Sequence, residues 1–362
     1  MKKILVMAGG TGGHIFPGLS VASELSKNKE FEVLWLGAKN RMEATLVPKH
    51  GFNIEYVNVS GLRRFGILHK INSLFKMGIA VFRAIGIIRK FKPDVVLGLG
   101  GFASAPGGIA AKICGVPLII HEQNAVAGLT NKILFKLASK ILLGFPGSFS
   151  GEKVLYVGNP VREEVIDLNK SLPKYFRDDE LKILVVGGSL GAQALNENLP
   201  MALKKSLDAY PGIKITHQTG KGNAEKVLES YKDLGISGFV DVKEFIFDMA
   251  KAYKEHDLII CRSGALTVAE VEAAGIPAIF VPLPTAVDDH QTKNAKFLAD
   301  AGASIILPQS SLTPDSLALE IVSLAKDRRK LEKMSENTAQ LAKLDATKKV
   351  ADICRFYAGD QK

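Results

Sequence analysis

Two patterns alternate along the chain: short continuous apolar runs, and longer stretches whose apolar positions recur every three or four residues. The first run, Ile4-Leu5-Val6-Met7, is bounded by Gly9-Gly10-Thr11-Gly12-Gly13 and followed by an amphipathic stretch from about Pro17 to Lys27. Such a run reads as a strand buried on both faces, and glycines after it read as a turn into a helix. Further runs at Phe31–Leu36, Val95–Leu97, Leu118–Ile120 and Ile141–Leu143 are separated by helical patterns. That alternation predicts a parallel sheet with crossover helices, whose elements end near residue 150.

The opening then recurs. Lys182 to Ala192 lies 179 residues after Lys3 to Gly13 and matches it at six of eleven positions. A second α/β domain is expected there, with strands near Ile213–His217, Leu258–Cys261, Ala278–Val281 and Ile305–Leu307. Between the halves, Val157-Gly158-Asn159-Pro160-Val161-Arg162 has turn chemistry. The expected organisation is an N-terminal domain over 1–157, a C-terminal domain over 158–345, and a final helix in 346–362 that packs back on the first domain. Two similar Rossmann-like α/β domains would then face each other across a cleft.

Composition narrows the class. The chain has 362 residues, is 47% hydrophobic and 23% charged, and has three cysteines with no C-x-x-C pair. A disordered or fibrous chain, a disulfide framework and a thiolate zinc site are thereby excluded. The net charge of +10 is not evenly spread: residues 1–160 hold 20 Lys/Arg and 8 Asp/Glu (+12), the rest 27 and 29 (−2). From Gly61 to Pro93 there are eight basic residues and no acid, interleaved with Phe65, Phe75, Phe82 and Phe91. The longest apolar stretch, Met77 to Ile88, is broken by Arg83 and is shorter than the roughly 20 residues a membrane span needs. No secretory signal pattern follows Met1, and a cytoplasmic protein is expected.

Three glycine-rich strand-to-helix turns stand out, Gly9 to Gly13, Gly98 to Gly108 and Gly187 to Gly191. Turns of this kind offer backbone N–H groups to phosphate at a helix N-terminus, or simply let helix and strand pack closely. No G-x-x-x-x-G-K-[ST] occurs, the terminal loops do not fit G-x-G-x-x-G, and Leu36-Gly37-Ala38-Lys39 lacks the acid that holds a nicotinamide ribose. In the second half, Arg262 to Thr267 precedes a helix carrying Glu270 in its first turn, and Asp288-Asp289-His290-Gln291 opens the next. A carboxylate at that sheet edge can hold ribose hydroxyls, while Thr267-x-x-Glu270 reads equally as a capping box.

These segments resemble a family. Gly9 to His14, Gly100 to Pro106, His121-Glu122-Gln123-Asn124, Gly158 to Arg162, Gly187 to Ala192, Arg262 to Glu270 and His290 to Asn294 are together closely similar to the bacterial membrane-side glycosyltransferases that make lipid II. Those enzymes add N-acetylglucosamine (GlcNAc) to undecaprenyl-diphospho-muramoylpentapeptide. The resemblance implies the glycosyltransferase B fold, with UDP-GlcNAc held mainly by the C-terminal domain and the lipid acceptor by the N-terminal one. It implies Ile246 on uracil through its backbone, Glu270 on ribose, with Leu266 and Thr267 in the same turn, and Ser189 and Arg162 on the diphosphate. His290 and Gln291 would meet the sugar or its phosphate, while Thr11, Gly12, Gly13 and Asn124 would line the sugar site. Phe102 and Leu190 stand where the family usually has Tyr and Gln.

The reaction implied is a single inverting displacement, in which the C4 hydroxyl of the muramoyl sugar attacks the anomeric carbon and UDP leaves. No cofactor or metal is expected, and the chain has no Asp-x-Asp motif. His14, just after the first glycine loop, is the candidate base because imidazole titrates near neutral pH; alternatively it binds the acceptor diphosphate or closes the loop. The basic, phenylalanine-bearing stretch reads as a face docking on anionic membrane at the cytoplasmic side of the inner membrane, or else as a solvated face over a core helix. Two other classes compete, a UDP-GlcNAc epimerase of the same fold and a nonenzymatic basic nucleic-acid binder. No nucleic-acid module is recognisable, and no nucleic-acid partner is expected.

Overall fold

The computed structural model describes residues 1–58, 67–171, 180–188 and 190–359, with backbone alone for 67–74, 170–171 and 287. It divides into two compact units, Met1–Arg162 with Lys343–Lys362, and Glu163–Ala342.

The first unit is built on strands β1 (Lys2–Ala8), β2 (Phe31–Ala38), β3 (Asn53–Val57), β4 (Val95–Gly100), β5 (Leu118–Glu122), β6 (Lys140–Leu143) and β7 (Val154–Tyr156). All pair in parallel in the order β3-β2-β1-β4-β5-β6-β7. Its helices are α1 (Gly12–Ser26), α2 (Glu43–Lys49), α3 (Ile67–Phe91), α4 (Ser104–Ile113) and α5 (Leu129–Leu134). The second unit carries α6 (Glu163–Ile166), β8 (Leu181–Val186), α7 (Gln193–Ala209), β9 (Ile213–Gln218), α8 (Ala224–Asp233), β10 (Val240–Lys243) and α9 (Met249–Glu255). It continues through β11 (Leu258–Cys261), α10 (Ala265–Ala274), β12 (Ala278–Phe280), α11 (His290–Ala299), β13 (Ser304–Ile306), α12 (Pro314–Lys326) and α13 (Arg328–Leu341). Its sheet is again parallel, in the order β10-β9-β8-β11-β12-β13. A last helix, α14 (Ala346–Tyr357), belongs to the first unit.

The apolar runs are continuous because helices cover both faces of each sheet. In β1, Ile4, Val6 and Ala8 face one core layer with Ile15, Leu19 and Trp35, to which α14 adds Val350, Ala351 and Cys354. Leu5 and Met7 face the other, with Ala80, Ala84 and Ile88 of α3 and Ala110 and Ala111 of α4. Arg355 fastens α14 further, its guanidinium forming a bidentate pair with Glu30 at 2.8 and 2.9 Å. In the second unit Leu181, Ile183 and Val185 of β8 are covered by Leu195, Leu199 and Leu203 of α7 and by Leu317, Ile321 and Leu324 of α12.

Every strand expected from an apolar run is present, its ends within two residues of the run except in β4, which continues three residues further to Gly100. Three strands, β3, β7 and β10, lie outside those expectations. Each is at a sheet edge, paired on one side only, and its residues alternate or are half exposed, so no continuous apolar run marks it. In both sheets the strand order reverses beside the strand that carries the repeat: β1 lies between β2 and β4, and β8 between β9 and β11. Loops at the carboxyl ends of these strands part there, which is where open α/β sheets bind ligands. The three glycine turns follow β1, β4 and β8.

Candidate active site

In the first unit the two glycine turns meet backbone to backbone. A Cβ on Gly101, whose φ is +84°, would lie 2.3 Å from the carbonyl oxygen of Gly9. The first turn is also held from below by a buried carboxylate: Glu43 accepts from the N–H of Gly10 at 3.0 Å and of Ala38 at 3.1 Å. The Gly10 N–H is therefore already bonded, and what this turn offers a ligand are the N–H groups of Gly12 and Gly13, the first two of α1, which have no carbonyl one turn behind them. Thr11 is the N-cap, extended, with no side-chain cap bond.

His14 sits on the second turn, its ring against Gly100, where a Cβ would lie 3.0 Å from Cε1. Its Nδ1 is 2.9 Å from Gln123 Oε1. Gln123 Nε2 in turn lies 3.2 Å from His121 Nδ1 and 3.3 Å from the His121 carbonyl oxygen, and His121 Nε2 is 2.9 Å from the Gly158 carbonyl oxygen. His121 is fully buried, and desolvation lowers its pKa from 6.5 to about 4, so it is neutral at physiological pH.

Between these histidine-linked residues, Glu122 is a buried carboxylate with its bonds made. Its Oε1 accepts from the Asn124 N–H at 3.0 Å and from Asn124 Nδ2 at 3.4 Å, and its Oε2 from the Gly128 N–H and Asn131 Nδ2, both at 2.9 Å. Each residue of the His-Glu-Gln-Asn segment thus has a distinct mechanical part. His121 and Gln123 reach His14, and Glu122 fixes the loop that displays Asn124. Arg162, the last residue of this unit before the chain leaves it, lies over the ring of Phe16 at 6.0 Å.

In the second unit the turn after β8 is packed against the loop after β9. A Cβ on Gly191, at φ +78°, would lie 2.0 Å from the Thr219 carbonyl oxygen, an oxygen that also accepts from Asn196 Nδ2 at 3.0 Å and Asn223 Nδ2 at 3.1 Å. Ser189 lies outside the described residues. Gln218, at the end of β9, joins two loops: its Nε2 donates to the Gly188 carbonyl at 3.1 Å, and its Oε1 accepts from the Ile246 N–H at 3.1 Å. The Ile246 N–H expected to meet uracil is therefore bonded to Gln218, and a base there exchanges partners with it or uses the Ile246 carbonyl.

Around the turn after β11, Gly264 rather than Thr267 is the N-cap of α10, and no side chain caps it. Glu270 stands in the second turn, not the first, buried, its Oε2 accepting from the Tyr253 hydroxyl at 3.1 Å. The capping-box alternative is corrected by this, because the helix starts three residues earlier than that pairing requires. Leu266 and Thr267, in the first turn, are half-buried. Arg262, half-buried and with its pKa lowered by desolvation, donates to the carbonyls of Val281 at 2.9 Å and Pro282 at 3.2 Å and to Gln309 Oε1 at 2.7 Å.

Helix α11 opens at His290, after Asp288 and Asp289, both in the left-handed region at φ 54° and 52°. Non-glycine residues held there cost roughly 1 kcal/mol or more each, a strain typical of sites where loop shape matters. Gln291 anchors this turn: its Oε1 accepts from the Leu283 N–H at 3.0 Å and its carbonyl from the Ser263 hydroxyl at 2.8 Å, while Asn294 Nδ2 donates to the Ser263 carbonyl at 3.1 Å. The Gln291 side chain thus uses its oxygen within the protein.

Of the expected residues, Thr11, Gly12, Gly13, His14 and Asn124 are gathered at the carboxyl edge of the first sheet. Ile246, Leu266, Thr267, Glu270, His290 and Gln291 lie on loops and helices following strands of the second. Glu43, His121, Gln123, Gln218 and Tyr253 escaped the sequence reading. For His121 and Gln123, both in the His-Glu-Gln-Asn segment, the available signal was their spacing of two at a strand end, which puts both side chains on one side.

Comparison with known proteins completes the picture. The glycosyltransferase family 28 N-terminal domain matches residues 4–143 and the glycosyltransferase family 28 C-terminal domain residues 182–350. A UDP-N-acetylglucosamine–N-acetylmuramyl-(pentapeptide) pyrophosphoryl-undecaprenol N-acetylglucosamine transferase of Tolumonas auensis is 52% identical over 98% of this chain and 99% of its own length. A protein of the same description from Shewanella frigidimarina is 49% identical, covering 98% and 97%. The crystal structure of MurG from Acinetobacter baumannii is 41% identical, with a TM-score of 0.83 over 98% of this chain and 100% of that one. Two parallel α/β units with these matches are the glycosyltransferase B architecture, and the chain belongs to glycosyltransferase family 28.

Proposed function

We propose that this enzyme transfers N-acetylglucosamine from UDP-GlcNAc to the C4 hydroxyl of undecaprenyl-diphospho-N-acetylmuramoyl-pentapeptide, giving lipid II for peptidoglycan synthesis. The observation that carries the reading is the near-complete coverage, at about half identity, of relatives described as that transferase. The seat built for His14 from two glycine turns and the His-Glu-Gln-Asn segment supports it from the geometry.

In the proposed reaction His14 takes the proton of the C4 hydroxyl as that oxygen bonds to the anomeric carbon, and the bond from that carbon to the UDP oxygen breaks with inversion. Charge then grows on the diphosphate. In the proposal, N–H donors of the glycine turn after β8, and Arg162, would answer it, and one such donor is worth about 3 kcal/mol in comparable sites. Ser189 would join them by resemblance. Glu270 would take the ribose hydroxyls, Ile246 the base, Leu266 and Thr267 the adjoining nucleotide, and His290 and Gln291 the sugar or its phosphate. Thr11, Gly12, Gly13 and Asn124 would line the sugar site from the first unit. A carboxylate acceptor with amide and backbone donors of these kinds suffices to bind a nucleotide sugar, and no cofactor enters the proposal.

The enzyme would work as a peripheral protein at the cytoplasmic face of the inner membrane. Among the described residues no helix is long and apolar enough to cross a membrane. Helix α3 buries Ala80, Ala84 and Ile88 and turns Phe75 (68% exposed), Ile79 (52%) and Phe82 (78%) outward on one line at i, i+4, i+7. Lys76, Arg83, Arg89 and Lys90 are exposed around it. Outward aromatic residues ringed by cations suit an anionic lipid surface, where each cation contributes about 1 kcal/mol. Arg63, Arg64 and Phe65 of the same basic stretch lie outside the described residues.

The test is to incubate the protein with labelled UDP-GlcNAc and a prenyl-diphospho-muramoylpentapeptide, with anionic vesicles present. A lipid-linked disaccharide and an equivalent of UDP are expected; an epimerised UDP-sugar without lipid product would overturn the reading. Replacing Arg83, Arg89 and Lys90 by Glu is expected to release the protein from the vesicles, and unchanged binding would remove the membrane-docking face.

A further inference from the structure

A backbone carbonyl can only accept, so the 2.9 Å contact between His121 Nε2 and the Gly158 oxygen requires the proton of His121 to be on Nε2. Its Nδ1 is then a lone pair. Gln123 Nε2 faces that lone pair at 3.2 Å and the His121 carbonyl at 3.3 Å, two acceptors that match the two hydrogens of an amide nitrogen. The flipped amide would aim its oxygen at both, so the orientation follows from the partners. Asn159 Nδ2 donates to the Gln123 carbonyl at 3.1 Å and Asn131 Nδ2 to the His121 carbonyl at 3.1 Å, holding the backbone of the same residues. What Gln123 presents to His14 is consequently Oε1, at 2.9 Å from Nδ1, and that oxygen can only accept.

We propose that Gln123 and His121 are positioning residues that hold His14 in the Nδ1–H tautomer, so that Nε2 is the nitrogen that takes the proton of the acceptor hydroxyl. The proposal rests on the reading of His14 as the base, and adds which atom acts and what selects it. Imidazole free in water favours the opposite tautomer, with the proton on Nε2. Without the chain Gly158–His121–Gln123 the lone pair of His14 would therefore sit mostly on the nitrogen turned toward residue 123, away from substrate. The chain ends on a neutral carbonyl rather than a carboxylate. It orients the ring without adding negative charge next to a site that must admit a diphosphate.

The tautomer is read directly by long-range ¹H–¹⁵N correlation spectra of the full-length enzyme labelled at histidine, at pH 8, with the His14 signals assigned by their loss in His14→Ala. The expected result is a protonated Nδ1 and a lone-pair Nε2 at His14 in the unsubstituted enzyme. Gln123→Leu is expected to shift His14 toward Nε2–H and to lower kcat about 10- to 100-fold with the KM for UDP-GlcNAc unchanged. An Nε2–H His14 in the unsubstituted enzyme overturns the proposal without recourse to any variant, and so does Gln123→Leu that keeps Nδ1–H. Should His14 be Nδ1–H while His14→Ala retains full kcat, the base reading fails and the tautomer assignment stands, so the two failures are distinguishable.

Discussion

The carboxylate of Glu43 accepts the backbone N–H of Gly10 at 3.0 Å, and thereby fixes the first glycine turn from inside the protein rather than from the ligand side. Its other oxygen holds Ala38 at the end of β2, so one buried side chain ties two loops at the carboxyl edge of the sheet. Glu43→Ala leaves two N–H groups without that partner and is expected to destabilise the protein by about 2–4 kcal/mol. Glu43→Gln, which keeps an acceptor oxygen, should lose less. Urea denaturation of the three proteins checks the order, and an Ala variant as stable as the unsubstituted protein would remove the role given to Glu43.

Contact between the two glycine turns of the first unit makes a second expectation. Gly101→Ala drives a methyl group into the Gly9 carbonyl at a positive φ and is expected to destabilise strongly, with loss of transfer activity because the seat of His14 moves. Gly86→Ala, in the interior of α3 with nothing within 4 Å of the new methyl, should stabilise by about 0.5–1 kcal/mol. Thermal unfolding of both variants tests the pair.

Gln218 links the turn at Gly188 to the loop at Ile246. Removing two hydrogen bonds that hold in register the loops proposed to bind the nucleotide should weaken UDP binding about tenfold in Gln218→Ala, which is about 1.4 kcal/mol. The acceptor KM should hardly change. Calorimetric titration with UDP measures the first and a transfer assay the second; unchanged UDP affinity would show that the loops hold without this side chain.

Much of this was legible in the sequence, for reasons that also explain what was not. Interior strands such as β1 and β8 are marked by unbroken apolar runs because helices cover both their faces, whereas edge strands β3, β7 and β10 leave one side unpaired and carry no such mark. The glycine turns and His14 were visible as local spacing. Glu43 and Gln218 were not, because their partners lie up to 33 residues away or on a loop beyond another element. The capping box read at Thr267 failed because Gly264 starts α10, a choice made by the close turn after β11 rather than by the Thr/Glu spacing.

Buried histidines set the response to acid. Burial lowers the pKa of His217 from 6.5 to about 4. Between those values the unfolded chain binds a proton that the folded one does not, so unfolding free energy falls as pH falls, by about 1.4 kcal/mol per pH unit from this group. Its contribution is constant above about pH 7 and is fully lost below about pH 4. His121 acts in the same direction over the same window. Stability measured from pH 7.5 to 4.5 should have a shallower slope in His217→Gln than in the unsubstituted protein, and equal slopes would contradict the assignment.

The central claim is that His14 accepts the proton of the attacking hydroxyl, and the most direct measurement is the single-turnover rate of transfer at saturating UDP-GlcNAc and acceptor for the unsubstituted enzyme and His14→Ala. A fall of about 10²-fold or more, with substrate affinities retained, is the expected result for loss of a general base. Equal rates would contradict it, and would leave His14 a loop or diphosphate ligand.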